Sequence, residues 1–216
     1  MLTKRLEKIV AALPTCDVVA DVGCDHGYIG VTALQRNKAQ KVVFIDISAP
    51  SLQKAQQLCA AENLANSAQF LCQNGLQKVQ CNCAVIAGMG GLEILSVLQN
   101  AKTLPQFLVL QPMRSQSDVR RWLQKQYNVV SDEKFFDGKF YDLIFASFDK
   151  NGCALTDDEL QFGKTNLQSP SQDFVDFLQI QLNKYNQILQ QCNDAEIVQK
   201  RNTVLRIFAK IQEEQS

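Results

Sequence analysis

The sequence predicts an α/β fold in which a mainly parallel, seven-stranded sheet carries helices on both faces and is followed by a helical hairpin. Three observations lead there. Short apolar runs alternate with segments of helical period from the amino terminus to about residue 112. Two extended segments, 128–131 and 141–148, then lie close enough in sequence to pair antiparallel. From residue 151 the strand signals stop, and apolar residues recur at three and four positions over two long stretches.

Each element has its own signal. Leu6, Ile9, Val10 and Leu13 share one face of an opening helix that Pro14 stops. The strand at 17–22 is apolar on both parities, as expected where both faces are covered. After a glycine-containing turn comes a helix at 28–37, then a strand at 41–45 that ends at Asp46. Leu52, Ala55 and Leu58 space a helix over 51–63. The third strand, 68–72, ends at Asn74-Gly75, and the fourth, 84–87, at the turn Gly88-Met89-Gly90-Gly91. Ile94, Leu95 and Leu98 mark a helix, 107–110 is the fifth strand, and a helix covers 118–126. Five parallel strands followed by an antiparallel pair is the plan of the Rossmann-like class I methyltransferase sheet; a dehydrogenase-type fold more often continues with parallel units. Residues 1–150 are therefore expected to form a catalytic domain and 151–216 a second one. In the latter, Phe174, Leu178, Leu182, Tyr185, Leu189 and Cys192 precede a break at Asn193-Asp194, then Ile197, Val204, Phe208 and Ile211. That spacing predicts a coiled-coil-like pair of antiparallel helices, either a stabilising or dimerising element or an arm that positions a large substrate.

Composition narrows the class. The 216 residues, 46% hydrophobic and 20% charged, suit a soluble globular chain. No run approaches the roughly 18 apolar residues of a membrane span, and the start lacks the apolar stretch of a secretory leader. A cytoplasmic protein with no membrane partner is expected. The eight cysteines, 16, 24, 59, 72, 81, 83, 153 and 192, are scattered through apolar contexts, so most are predicted to be reduced, buried and hydrophobic in role. Cys81-Asn82-Cys83 has no second close pair and the chain has one histidine, so no metal site is predicted. The net charge of zero hides an asymmetry: residues 1–150 carry 16 Lys and Arg against 13 Asp and Glu, residues 151–216 carry 6 against 9. A nucleic acid would have to meet a local basic patch.

The segment Asp21-Val22-Gly23-Cys24-Asp25-His26-Gly27-Tyr28 is the most informative. Gly23 and Gly27 give the backbone freedom for a tight turn. Asp21 and Asp25 would repel a phosphate, so the loop suits a cofactor with a cationic or neutral face. Asp46, followed by Ile47, lies 25 positions after Asp21, near the spacing at which a strand-end carboxylate reaches ribose hydroxyls; a solvated acid is the alternative. The pattern G-x-G-x-x-G is absent, which argues against NAD and towards S-adenosylmethionine. Asn74 with Gly75 either contacts the adenine of that cofactor or forms a simple turn. The glycines of the 88–91 run permit close backbone approach, Gly88 and Met89 towards cofactor, Gly90 and Gly91 towards substrate. Arg114 is the candidate contact to RNA phosphates. Arg120 and Arg121 are weaker candidates for the same contact, and Trp122 could stack a base, although its spacing from Val119 and Leu123 more often marks the core. An Asn/Asp-Pro-Pro-aromatic motif, which activates exocyclic amines, is missing at the fourth strand.

Together with Leu110-Gln111-Pro112, Arg121-Trp122-Leu123 and the terminal hairpin, these segments resemble the bacterial TrmK family over essentially the whole chain. The resemblance implies S-adenosylmethionine-dependent methylation of N1 of adenine 22 in tRNA. It implies that Asp21, Gly23, Asp25, His26 and Asp46 hold the cofactor, with Asn74 beside its adenine. A flipped base would enter at Gly88–Gly91 and be bordered by Tyr28 or His26, and Asp25 would stabilise the methylated cation, which makes Asp25 and Tyr28 the catalytic candidates. Cys24 and Gly27 stand where a serine and an alanine are expected, Gly30 where a proline is, and Met113 where an asparagine is usual. The hairpin would grip tRNA in a monomer or weak homodimer. The competing readings are a small-molecule methyltransferase with the hairpin as dimer interface, and a noncatalytic RNA-binding module.

Overall fold

The computed structural model describes residues 2–214. Five parallel strands, β1 (Cys16–Val22), β2 (Ala39–Asp46), β3 (Ala68–Cys72), β4 (Cys83–Met89) and β5 (Phe107–Pro112), are joined at one edge by an antiparallel hairpin, β6 (Tyr127–Asp137) and β7 (Lys139–Phe148). The order is β3-β2-β1-β4-β5-β7-β6, the class I methyltransferase plan expected from the sequence. Strand parity builds the layers. Val19, Val42, Phe44, Cys83, Val85 and Val109 pack under α1 (Lys4–Ala12), α2 (Tyr28–Gln35) and α3 (Ala49–Ala61). The alternate residues Ala20, Val22, Val43, Ile45, Ala84, Ile86, Leu108 and Leu110 pack against α4 (Gly91–Gln99) and α5 (Gln116–Leu123). Because successive strands run outward in opposite directions from β1, the sheet has a switch point between β1 and β4, where a crevice opens at the carboxyl ends of the strands.

Some boundaries differ from the sequence reading. The β6–β7 hairpin is longer, turning at Gly138, whose φ is +73°. Its extension was hidden because buried polar residues, Asp132 and Lys134, interrupt the apolar pattern. β4 runs on through Met89 with a bulge between Ala87 and Met89, so Gly88 and Met89 are strand residues rather than part of a four-residue turn. All eight cysteines are free thiols; Cys24, Cys59 and Cys83 are buried, three are half-buried, and Cys72 and Cys192 are exposed, so fewer serve the core than expected. No described helix is long and apolar enough to cross a membrane.

Four helices follow β7. Two short ones, α6 (Asp157–Phe162) and α7 (Lys164–Gln168), had no clear sequence signal, whereas α8 (Gln172–Leu189) and α9 (Ala195–Glu214) are the expected antiparallel pair. Phe174, Leu178 and Leu182 pack with Val204, Ile207 and Ile211 in a core of their own. Cys192 lies beyond the end of α8 and is exposed.

A buried ion cluster ties these helices to the sheet. Arg120 is fully buried, which removes it as an RNA contact. Its Nε and Nη2 donate to Asp132 at 2.6 and 2.9 Å, Nη2 also to Asp142 at 2.8 Å, and Nη1 to the Leu160 and Gln161 carbonyls. Lys134 donates to the other Asp142 oxygen at 2.6 Å and sits over the Phe177 ring. Burial alone would raise the Asp142 carboxyl, but Lys134 and Arg120 outweigh it and hold it below the usual range. The backbone N–H groups of Asp132 and Lys134 donate to Thr165 and Asn166. Trp122 is also structural, stacked on buried Tyr127. Arg120→Met leaves two buried carboxylates short of partners and is expected to lower unfolding free energy by about 3–5 kcal/mol, measured by urea denaturation; a loss under about 1 kcal/mol contradicts the role given to the cluster.

Candidate active site

A cavity of about 800 Å³ occupies the crevice between β1 and β4, within the range of small-molecule sites. Its wall combines Gly23 to His26 and Tyr28, the ends of β2 and β4, the turn after β3, the first turns of α4, and Arg5 from α1. Three carboxylates line it, Asp25, Asp46 and Glu93, and one guanidinium, that of Arg5.

The loop after β1 follows a left-handed path, with φ of +69° at Gly23, +47° at Asp25 and +76° at Gly27. Main-chain groups and two carboxylates fix it. The N–H groups of Gly23 and Cys24 donate to the Ile45 carbonyl at 2.8 and 3.1 Å. Asp46 accepts from the Asp25 N–H at 3.1 Å through one oxygen and from the Ser48 N–H at 2.9 Å through the other. Each carboxylate oxygen has two lone pairs, so Asp46 is immobilised and still able to accept. At Gly27 a Cβ would lie 2.8 Å from that of Ala55, so an alanine here would strain the backbone and require α3 to give way. Asp25 is exposed and reaches His26 Nδ1 at 2.7 Å. The imidazole lies parallel to the Tyr28 ring, with centroids 5.6 Å apart and planes 7° from parallel.

Asp21 departs from expectation. It is buried and does not line the cavity. It accepts the Gly30 N–H at 3.0 Å from beneath the loop. Burial pushes its carboxyl up to about 7, against the lowering effect of that hydrogen bond, and the nearby Asp46 charge adds to the rise.

At the end of β4, Gly88 and Met89 line the cavity, with the Met89 side chain lying over Gly23. Gly90 and Gly91 do not line it. The Gly90 N–H donates to Glu93 at the start of α4. A Cβ on Gly91 would lie 2.6 and 2.7 Å from the Ser115 and Arg114 carbonyl oxygens, so this glycine serves the close packing of α4 against the loop before α5. Arg114 is exposed on the rim, 3.5 Å from Glu93. Asn74, Gly75 and Ile47 reach the opposite end of the cavity, Ile47 being 75% exposed. Arg5, Gln73 and Glu93 were not foreseen as lining residues. The available signal for Arg5 was its place four residues before Ile9, a charge within the apolar stripe of α1.

Asp21 generates a pH test. Its folded-state value near 7 exceeds the unfolded value of about 3.9. Between these values the folded chain holds a proton that the unfolded chain has lost, so this group's contribution to stability falls as pH rises from about 4 to about 7. Asp21→Asn keeps an acceptor for Gly30 and removes the titration. Melting temperatures of the variant should gain on the wild type across that window and level off above it; a constant difference contradicts the assignment.

The family model described as "Methyltransferase domain" matches residues 2–144. The tRNA (adenine(22)-N(1))-methyltransferase of Bacillus subtilis is 30% identical over 153 residues, covering 67% of this chain and 64% of the relative, so the chain spans just under two thirds of that protein's length. Among solved structures, M. capricolum TrmK in complex with S-adenosyl-homocysteine superposes with a TM-score of 0.87 at 22% identity, over 97% of this chain and 98% of the other. The TrmK m1A22 tRNA methyltransferase of B. subtilis gives 0.75 at 24% identity, over 99% and 98%. The structural likeness extends the shared fold through the C-terminal helices. With the sheet order, the switch-point cavity and the matched model in agreement, this chain belongs to the methyltransferase-domain family.

Proposed function

We propose that this protein is an S-adenosylmethionine-dependent methyltransferase acting on N1 of adenine 22 in tRNA. The observation that carries the reading is the composition of the switch-point cavity, where a strand-end carboxylate, a left-handed glycine loop and an excess of acids converge. The likeness to the B. subtilis relative supplies the substrate.

The residues fit the cofactor's parts. Asp46 presents fixed acceptor capacity for the ribose hydroxyls, Asn74 and Gly75 on the cavity wall receive the adenine edge in this reading, and Ile47 offers an exposed apolar surface beside it. Gly23, Gly88 and Met89 form the floor, and Asp25 with His26 faces the cationic portion. When bound, the cofactor supplies an electrophilic methyl group on sulfonium. N1 of adenine brings an in-plane lone pair and no proton to lose, so the protein needs to place and stabilise rather than to deprotonate. The parallel His26–Tyr28 pair offers a flat surface on which an extruded base stacks. Asp25 stabilises the cation formed at N1. Gly90 and Arg114 sit on the rim, where they meet the RNA backbone, while Gly91 acts by holding α4 in place. We divide the roles at residue 150: the sheet performs transfer, and the α8–α9 pair extends the tRNA contact of a cytoplasmic monomer or weak homodimer.

Three outcomes test this. Incubation of the protein with tRNA and labelled cofactor, followed by nucleoside mass spectrometry, should yield N1-methyladenosine at position 22; another nucleoside or none contradicts the reading. Asp46→Asn should weaken calorimetric cofactor affinity by about tenfold or more, the scale of hydrogen bonds to a charged group. Lys184→Glu with Lys200→Glu, both exposed on the helical pair, should weaken tRNA binding severalfold with cofactor affinity unchanged, and unaltered tRNA affinity removes the arm.

A further inference from the structure

We propose that Arg5 is the anion anchor of the cavity, receiving a paired-oxygen group: the carboxylate of the cofactor's methionine portion or a phosphate of the target nucleotide. The inference rests on the functional reading above and adds a residue that the motifs did not contain.

The guanidinium is held for this task. Its Nε donates to Gln111 Oε1 at 2.7 Å, and Gln111 is itself fully buried at the end of β5. Its Cζ lies 5.5 Å from the centroid of the Tyr141 ring, and the Arg5 backbone N–H donates to Asp137 at 2.8 Å. One edge of the fork is thus spent on positioning. Among the described residues, neither terminal nitrogen has a hydrogen-bond or ion-pair partner. Nη2 lies 2.9 Å from where a Cβ on Gly88 would stand, and Gly88, with φ of +79°, leaves that approach open to the cavity.

Neighbouring cations behave differently. Lys4 and Lys8, on the same helix, pair with Asp173 and Glu133. Arg5 is half-buried and has no carboxylate on its fork, so its lost hydration is offset only by Gln111 and the Tyr141 ring and not by an opposite charge. An incoming anion supplies it, and two free N–H-bearing nitrogens in one plane match a carboxylate or phosphate bidentately. The surroundings fit as well. Asp25, Asp46 and Glu93 suit the positive centres of an amino-acid sulfonium, and the single guanidinium suits its negative one.

The test uses the intact protein and binding readouts. Arg5→Gln removes the charge; Arg5→Lys keeps it without the fork. Each is titrated calorimetrically with S-adenosylmethionine and with its decarboxylated analogue, and tRNA binding is followed across salt concentrations. If the anion is the carboxylate, Arg5→Gln weakens S-adenosylmethionine about tenfold or more and leaves the decarboxylated analogue unchanged. If it is a phosphate, both cofactors bind as before, tRNA binding weakens, and the slope of log affinity against log salt shrinks by about 0.7–0.9, with Arg5→Lys retaining the slope. Unchanged binding in both arms, or equal weakening of both cofactors, overturns the proposal. Wild-type protein that leaves tRNA unmodified sinks the tRNA reading alone, because the cofactor arm is read without turnover.

Discussion

Two carboxylates shape the loop after β1, and the cavity depends on that shape. Asp21 pulls the Gly30 N–H from below while Asp46 takes the Asp25 N–H from the side. Between them the chain makes left-handed steps at Gly23, Asp25 and Gly27, which turn the main chain around the crevice. Aspartate tolerates that region better than most residues, which explains how Asp25 occupies it without a glycine. The two acids differ in consequence. Asp21 is sealed under the loop and acts only through shape, at the expense of a raised carboxyl value. Asp46 stands at the cavity wall, so ordering the loop and presenting an acceptor are inseparable there.

The second constraint is the buried Arg120 cluster, which makes the carboxyl-terminal helices part of the sheet's stability. A division at residue 150 follows secondary structure but not packing. Arg120 on α5 takes carbonyls from α6, and β6 takes its polar partners from α7. A Cβ on Gly163 would lie 2.7 Å from the Asp132 carboxylate, so the α6–α7 junction is fitted to the same ion pair. The α8–α9 pair has its own apolar core, yet its root is set by contacts that begin beneath the sheet edge.

How much of this was legible follows from the physics of each signal. Apolar runs and helical spacing mark β1, β2, β4, β5 and the terminal helices because burial there is apolar, while β3, whose residues are at most half-buried, is marked by its apolar run alone. The tail of β6 was hidden because Asp132 and Lys134 are buried as ions, and pattern cannot separate a buried ion from a solvated one. Arg120 and Arg114 looked alike for that reason and lie in opposite environments. Glycines posed a similar problem. Gly27, Gly30 and Gly91 leave room for core and backbone atoms, whereas Gly88 leaves room for the Arg5 guanidinium at the cavity wall, and sequence shows only the missing side chain. Asp21 was more readable than it was taken to be: it shares the parity of Val19, which places it on the face under α2 rather than at the open edge.

The cavity's charge also bears on how an RNA base reaches it. In the proposed reaction a neutral adenine becomes a cation, and a carboxylate about 6 Å from a unit positive charge contributes about 3 kcal/mol at an effective dielectric of about 20. The sulfonium already carries that charge before transfer, so the carboxylate speeds the step only by the amount its interaction with the charge strengthens as the charge passes from sulfur to the adenine ring. Away from the Arg5 guanidinium the same field repels phosphates. A strand threaded through the crevice would bring several of them past Asp25, Asp46 and Glu93, whereas a single extruded base brings its ring inside and leaves its backbone at the rim. There the exposed Arg114 guanidinium is available, tethered only by a 3.5 Å contact to Glu93. An acidic interior with the Arg114 guanidinium exposed beside it thus favours one flipped nucleotide over a bound strand, and it suits N1, whose methylated product keeps a positive charge, whereas an exocyclic amine sheds a proton on methylation and ends neutral.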